Sequence, residues 1–222
     1  MLTISQKKWT KFSMTINRLL TDEDRINMAP LISNMWRVCP DMMRRKIERA
    51  NVQQAFVLDT VIKEGGLGGK SIISVGCYDD TAYECLRLDV ANIIGIDPTI
   101  NQDLHTFRQN HSVGFEIAFS TSVLEHVEDD LQFVEDMCTL LLPSGLGILT
   151  MDFNDSYKLG DRLPQSDLRF YTKQDLYGLR FIINKLGCEL VDTPDWSGEP
   201  EFTHDGCTYS FCTFVFRKTK DV

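Results

Sequence analysis

Polar residues that could bind a small ligand follow four short apolar segments of the sequence, at positions 76–80, 97–98, 120–122 and 152–154. When parallel strands form a sheet, the residues that follow them meet at one edge, where ligands bind. Asp97 comes about 20 residues after the first apolar segment, a spacing at which a carboxylate can accept hydrogen bonds from both hydroxyls of a ribose. It could instead cap a following helix, a common role for Asp. We expect a ligand site here.

Two phosphate-binding motifs are excluded by the residues themselves. Gly69-Lys70-Ser71 is similar to the end of a P-loop, but Glu64 occupies the position of the first glycine of that motif. This loop also precedes a predicted strand instead of following one. Segment 76–81 has one glycine where the dinucleotide fingerprint needs three. The remaining interpretation is that the carboxylate of Asp97 binds the ligand and that the loop after residue 75 passes its backbone close to it.

Short apolar strands alternate with amphipathic helices along the chain. Residues 1–64 are predicted to be helical, and the last helix of this part runs from about Arg44 to Glu64. The alternation predicts an α/β fold with a parallel sheet that is covered by helices on both faces. The predicted strands are 71–75, 92–97, 115–120, 147–152, 188–191 and 209–216. The later predicted helices cover 82–88 and begin near 129 and 173.

The composition is that of an ordinary globular protein. Its 222 residues are 43% hydrophobic and 25% charged, which excludes a wholly disordered chain. The net charge of −9 argues against a nucleic-acid partner, because phosphate binding requires a positive surface. The sequence contains no apolar run near the roughly 18 residues of a membrane span, and its beginning lacks the apolar region of a signal peptide. The seven irregularly spaced cysteines favour reduced thiols, so we expect a cytoplasmic protein with no membrane partner.

Three segments resemble a known enzyme family. The most specific is FEIAFSTSVLEHVEDDLQFVEDMCTLLLPSGLGILTMDF (115–153), which is similar to a strand, an S-x-x-V-L-E-H-V signature, a helix, a P-x-G turn and the next strand. Segment 95–97 and the R-x-Y-T pattern at 169–172 are the other two. On these segments the sequence resembles the class I S-adenosylmethionine-dependent methyltransferases of the small-molecule type called type 11. The resemblance implies a Rossmann-like core with a mostly parallel sheet, a final antiparallel strand and a helical N-terminal cap.

The same resemblance implies which residues hold the methionine half of S-adenosylmethionine. Val75, Gly76 and Cys77 would pass their backbone along the methionine part of the cofactor. Ser120 and Thr121 would lie beside the sulfonium, a cation that favours oxygen atoms nearby.

The ribose and the adenine would be held by the next two segments. Asp97 would accept hydrogen bonds from the ribose hydroxyls, and Pro98 would lie against the adenine. Asp103-Leu104-His105 resembles a D-A-H turn of the family, so Asp103 would accept from the adenine amino group and the Leu104 backbone would reach the ring. The product, S-adenosylhomocysteine, would occupy the same site.

The first loop departs from the family pattern D/E-x-G-x-G-x-G. The matching positions are Ser74, Gly76, Tyr78 and Asp80, so two glycines that allow close backbone approach are replaced by larger side chains. Tyr78 is kept as a cofactor-binding residue. Either the loop takes another path, with Asp79 or Asp80 near the cofactor's ammonium, or the cofactor binds more weakly.

His126 is the candidate catalytic base, because its pKa range suits proton transfer and it follows the strand of the signature segment. The alternative is a histidine whose hydrogen bond holds the loop in place. The other histidines, at 105, 111 and 204, have no partners at metal-ligand spacing, so no metal site is expected.

We therefore expect two parts, a helical cap or lid over 1–70 and a methyltransferase core over 71–222. The expected function is methyl transfer to oxygen or nitrogen of a small-molecule or saccharide-like acceptor. The alternative is a methyltransferase-fold module that has lost catalysis and serves as a binding or partner subunit. A homo-oligomer is an open alternative for its assembly.

Overall fold

The computed structural model describes residues 15–219. Within them, the strands form one sheet in the order β1-β8-β5-β4-β2-β3, with β6 and β7 also paired to β8. The strands are β1 Leu19–Leu20, β2 Ile72–Val75, β3 Ile93–Ile96, β4 Phe115–Thr121, β5 Leu141–Phe153, β6 Cys188–Leu190, β7 Phe202–His204 and β8 Cys207–Lys218. The helices are α1 Asp22–Asn27, α2 Ala29–Val38, α3 Pro40–Arg45, α4 Asn51–Lys63, α5 Thr81–Leu86, α6 Leu104–Asn110, α7 Asp130–Leu140 and α8 Lys173–Lys185.

The centre of the sheet is parallel, as predicted. Strands β3, β2, β4 and β5 pair in parallel, and β8 runs antiparallel beside β5. Alternate residues of β5 pack on opposite faces: Leu149 and Met151 lie in one buried cluster with α7 and α8, and Ile148 lies in another with α4. The α/β class, the antiparallel final strand and the helices on both faces are therefore confirmed.

The N-terminal part is less helical than predicted. Leu19 and Leu20 form β1 and pair antiparallel with β8, so the expectation of a helical segment over 1–64 is wrong at this point. The helix predicted from about Arg44 begins at Asn51, because Lys46 and Ile47 have extended backbone with ψ of 147° and 121°. The first 14 residues of the proposed cap lie outside the described residues.

Helix α4 packs directly on the sheet. Its residues Ala55, Phe56 and Leu58 are buried in the same cluster as Ile117 of β4 and Ile148 of β5. This helix thus belongs to a layer of the core, while a boundary near residue 70 stays a prediction. None of the helices in residues 15–219 has the length and apolar character to cross a bilayer.

Two further differences concern β7 and the start of β5. Strand β7 was not predicted; it is a short hairpin partner of β8, with Phe202 opposite Tyr209. Strand β5 begins at Leu141, before the Pro143-Ser144-Gly145 turn that was expected to separate it from α7. The pairing of β4 with β5 shifts its register between Phe115 and Ile117, and this irregularity accommodates the turn residues.

Helix α8 begins with the capping box that the sequence predicts at Thr172. The Thr172 hydroxyl accepts from the Asp175 amide over 3.3 Å, and the Asp175 carboxylate accepts from the Thr172 amide over 2.9 Å. We expect Thr172→Ala to lower the free energy of unfolding by about 1 kcal/mol, because the first turn loses a partner for one of its amides. Chemical denaturation measures this change. Thr172→Ser, which keeps the hydroxyl, should unfold within a few tenths of a kcal/mol of the wild type; an equal loss in both variants would contradict the cap.

Candidate functional site

A cavity of about 1020 Å³ opens over the carboxyl ends of β2, β3 and β4. It brings together most of the residues that the sequence predicts for the site. Cys77 and Ser120 are the two that do not line it: both side chains are buried, and the Cys77 amide donates to the Ile96 carbonyl. The predicted residues that line the cavity are Val75, Gly76, Tyr78, Asp97, Pro98, Asp103, Leu104, Thr121 and His126.

Gly76 lets the first loop approach the cavity as bare backbone. Its φ is +80°, a conformation that side chains with a Cβ rarely adopt. A Cβ at this position would lie 2.4 Å from Cγ2 of Val123. The Gly76 amide donates to the Ile96 carbonyl over 2.8 Å, which ties the loop to β3. This position therefore requires glycine for both conformation and space.

Asp97 is held at the end of β3 with its carboxylate at the cavity. Its Oδ2 accepts from the Tyr78 amide over 3.2 Å, and its Oδ1 accepts from the Thr99 amide over 2.8 Å. Each carboxylate oxygen can accept two hydrogen bonds, so both keep capacity for a ligand. The helix that follows, α6, is capped by Asp103 and not by Asp97. Asp97 thus fits the ligand role better than the capping role.

The two acidic residues after Tyr78 point in different directions. Asp79 has a φ of +60° and pairs with Arg45 of α3, whose guanidinium holds the pKa of that carboxyl below its usual range. Asp80 caps α5 through the Tyr83 amide over 2.9 Å, and burial raises the pKa of its carboxyl. The sequence left open whether Asp79 or Asp80 would lie near the cofactor's ammonium. Both residues line the cavity, and Asp80 is the one that has no ion pair with Arg45.

Two buried oxygen atoms of the cavity wall fit a cationic ligand group. The side chains of Asp80 and Thr121 are both buried and lie beside each other, so that Thr121 acts on the pKa of the Asp80 carboxyl against the larger effect of burial. A carboxylate oxygen beside a hydroxyl is a suitable partner for an ammonium group.

The opposite end of the cavity is formed by α6 and α7. Asp103 caps α6 through the Thr106 amide and hydroxyl, over 2.9 and 2.7 Å, so its carboxylate is partly used. Asp136 of α7 was not predicted as a site residue; it is buried in the wall and lies 2.8 Å from Nδ1 of His105 and 2.6 Å from Nε of Arg108. The sequence feature that could have identified Asp136 is its charge, which stands among the apolar positions of α7.

His126 lies at the rim with one ring nitrogen engaged. Its Nδ1 is 3.1 Å from the Ser166 carbonyl oxygen and 3.3 Å from Oδ1 of Asp167. A carbonyl can only accept, so Nδ1 carries the proton and Nε2 is left as the basic nitrogen. The ring is 38% exposed and lines the cavity, which suits a base but also a loop-holding residue.

Comparisons with known proteins show the fold of this chain. No family model and no curated protein matches the sequence. Among solved structures, magnesium protoporphyrin IX methyltransferase from Synechocystis PCC 6803, with bound S-adenosylhomocysteine, is similar over 85% of this chain and 99% of its own, at 15% identity and a TM-score of 0.55. The amino pentose methyltransferase CalS10 from Micromonospora echinaspora is similar over 79% of this chain and 93% of its own, at 16% identity and a TM-score of 0.52.

A third similar structure is 1,6-didemethyltoxoflavin-N1-methyltransferase from Burkholderia thailandensis. It covers 90% of both chains at 12% identity and a TM-score of 0.51. At these identities the similarity shows the fold, which is that of class I S-adenosylmethionine-dependent methyltransferases. The acceptors of the three proteins differ, so the fold does not identify the acceptor of this chain.

Proposed function

We propose that this chain, which has the class I methyltransferase fold, transfers the methyl group of S-adenosylmethionine to oxygen or nitrogen of a small-molecule or saccharide-like acceptor. The observation that carries the proposal is the convergence of three groups on one cavity: the bare backbone at Gly76, the carboxylate of Asp97 and the carboxyl of Asp80. A bare backbone lets the methionine part of the cofactor pass close to the loop, one carboxylate can accept hydrogen bonds from the ribose hydroxyls, and a second can pair with the ammonium group.

The residues present fit the cofactor. Asp97 would hold the ribose hydroxyls, and Pro98 and Leu104 would lie at the adenine. Asp80, with Thr121, would hold the methionine ammonium. At this position of the loop the family pattern has a glycine, and Asp80 would supply a charged partner instead. When bound, the cofactor supplies an activated methyl carbon. The term "cofactor subsite" refers below to these five residues.

Methyl transfer is an in-line displacement, so the protein mainly brings the two reactants together in the correct orientation. A base is needed only when the accepting atom carries a proton that must leave. His126 is proposed for this role, with Nε2 accepting the proton and the Ser166 carbonyl orienting the ring.

Replacing His126 tests this assignment. We expect His126→Ala to lower kcat for a proton-bearing acceptor by about 100-fold or more, the usual contribution of general base catalysis. Binding of S-adenosylhomocysteine should stay within twofold of the wild type, since His126 is not in the cofactor subsite. His111, which follows α6 and is bonded to the Phe107 carbonyl, offers a control in His111→Ala. Full turnover in His126→Ala would leave the histidine only its loop-holding role.

The remaining features of the function are also proposals. The acceptor is expected to be a small molecule and not a nucleic acid, in line with the net charge of −9. A cytoplasmic location agrees with seven cysteines that are all free thiols. The homo-oligomer stays an untested prediction.

The proposed function is tested by product formation. Purified protein is incubated with S-adenosylmethionine and a panel of sugars, amino sugars and small phenols, and S-adenosylhomocysteine is measured. The proposal predicts acceptor-dependent product. Mass spectrometry of the protein as purified separates the two candidate functions: retained cofactor without turnover on any acceptor would favour a non-catalytic binding module, and absence of both would contradict the enzyme.

A further inference from the structure

A cation from the N-terminal part of the chain lines the cavity and is not used by the cofactor subsite. Lys46 directly follows α3, is half-buried, and forms part of the cavity wall together with Asp79 and Asp80. Among the residues of 15–219 that line the cavity, Lys46 is the only lysine or arginine. An anionic group of a ligand therefore has one permanently charged partner in this wall.

Contacts on both sides hold the segment that carries Lys46. Met43 is buried in the core cluster that contains α4, and its carbonyl accepts from the Lys46 amide over 3.3 Å. The guanidinium of Arg45 forms an ion pair with the carboxylate of Asp79 in the first loop. The ammonium of Lys46 itself forms no ion pair with any carboxylate of residues 15–219. Its charge is thus available to a ligand.

The charge of Lys46 acts on both acidic residues of the first loop. The Arg45 guanidinium has the largest effect in lowering the pKa of Asp79, and the Lys46 ammonium adds to it. Burial raises the pKa of Asp80, and the Lys46 ammonium opposes that rise. Lys46 therefore lies at the end of the cavity where Asp80 is proposed to hold the methionine ammonium.

The backbone of the first loop offers little to an anionic group. The amides of residues 76, 77 and 80 donate to backbone carbonyls over 2.8, 3.2 and 3.3 Å. The Tyr78 amide donates to Oδ2 of Asp97 over 3.2 Å. Four of the five amides of 76–80 are thus already used within the protein. A carboxylate at this end of the cavity must find its main partner on a side chain.

The methionine end of S-adenosylmethionine carries an ammonium and a carboxylate on the same carbon atom. Two neighbouring side chains of opposite charge match such a group, because each of its charges then has a partner. Lysine suits the carboxylate, since its ammonium has three donors on a flexible stem.

We propose that Lys46 binds the carboxylate of the methionine end and that the site thereby selects a cofactor with the whole amino-acid group. This role rests on the proposed function and extends the cofactor site to a residue outside the predicted core. A decarboxylated cofactor would leave the Lys46 ammonium without a ligand partner beside a bound ammonium, so it binds more weakly.

The preference of the unmodified chain between two ligands is the first test. Calorimetric titrations compare S-adenosylhomocysteine with its decarboxylated analogue, in which hydrogen replaces the carboxylate and the ammonium stays. We expect S-adenosylhomocysteine to bind at least about tenfold more tightly, the contribution of one charge-assisted hydrogen bond. Equal affinities, or tighter binding of the analogue, would overturn the inference.

Replacing Lys46 assigns the preference to this side chain. Lys46→Met keeps a long side chain without its charge and should weaken S-adenosylhomocysteine at least about tenfold, while the analogue stays within about twofold. Arg44→Met is the matched control, because Arg44 belongs to the same helix, pairs with Asp41 and does not line the cavity. Both ligands should bind this control as they bind the wild type.

Three outcomes of the variant titrations would overturn the inference: an equal loss of both ligands in Lys46→Met, no loss of either, or the same loss in Arg44→Met. If S-adenosylhomocysteine binds the wild type and Lys46→Met equally well, the carboxylate assignment fails while the cofactor site stands. If the wild type binds neither ligand, both fail. If Lys46→Met does not fold, the comparison of the two ligands on the wild type still decides.

Discussion

Asp97→Ala should weaken the binding of S-adenosylhomocysteine by at least about 100-fold. The carboxylate is fixed by the amides of Tyr78 and Thr99, so it meets a ligand already oriented. Two hydrogen bonds from ribose hydroxyls to an ionised group contribute about 1.5–3 kcal/mol each, and every 1.4 kcal/mol is tenfold in affinity. Isothermal calorimetry on the purified variant measures the loss.

The matched control is Asp161→Ala, which removes an exposed carboxylate that does not line the cavity. It should bind S-adenosylhomocysteine as tightly as the wild type. Asp97→Ala must also be shown to fold, by a cooperative thermal transition, because Asp97 holds the loop at Tyr78. A folded Asp97→Ala variant with affinity within threefold of the wild type would contradict the ribose assignment.

Gly76→Ala should reduce both stability and cofactor binding. The added methyl group would lie 2.4 Å from Val123 Cγ2, and φ would remain at +80° or the loop would have to move. Overpacking of this kind costs about 1–3 kcal/mol, and a left-handed backbone costs a residue with a Cβ about 1–2 kcal/mol more. For a domain of this size each 1 kcal/mol lowers the melting temperature by about 2–4 °C. A displaced loop should also weaken S-adenosylhomocysteine about tenfold.

Val123→Ala provides the internal control for Gly76→Ala. It removes the two methyl carbons that lie 2.4 and 3.2 Å from the added Cβ. The double variant should therefore recover part of the stability lost in Gly76→Ala, and the two changes should be non-additive. Strict additivity in the double-mutant cycle would show that the clash with Val123 is not the cause.

The sequence identifies the parts of the site that depend on strand ends. Val75-Gly76 and Asp97 follow short apolar runs, and a parallel sheet must bring such ends to one edge, so their convergence follows from the order of residues alone. The pairing of β1 with β8 cannot be predicted from the order of residues, because two leucines between polar residues do not show the alternation of a strand. The start of α4 at Asn51 is not predicted either, since the apolar stripe already includes Ile47, whose backbone is extended.

For other site residues the sequence predicts the position but not the role, because the role depends on side-chain direction. Asp79 and Asp80 are adjacent in sequence and both line the cavity, and only the fold shows that Asp79 pairs with Arg45 while Asp80 caps α5. Gln53 of α4 is far from Ser122 in sequence, yet its side-chain amide donates to the Ser122 hydroxyl at the cavity. No spacing rule connects the two residues, because α4 meets the sheet only through packing of the core.

The central claim is that the cavity at Gly76 and Asp97 is a cofactor site. Calorimetric titration of S-adenosylmethionine into the unmodified protein tests it most directly. The expected result is saturable binding at one site per chain with micromolar affinity. A titration without saturable heat at several temperatures, with the protein shown to be folded, would contradict the cofactor site and with it the proposed methyl transfer.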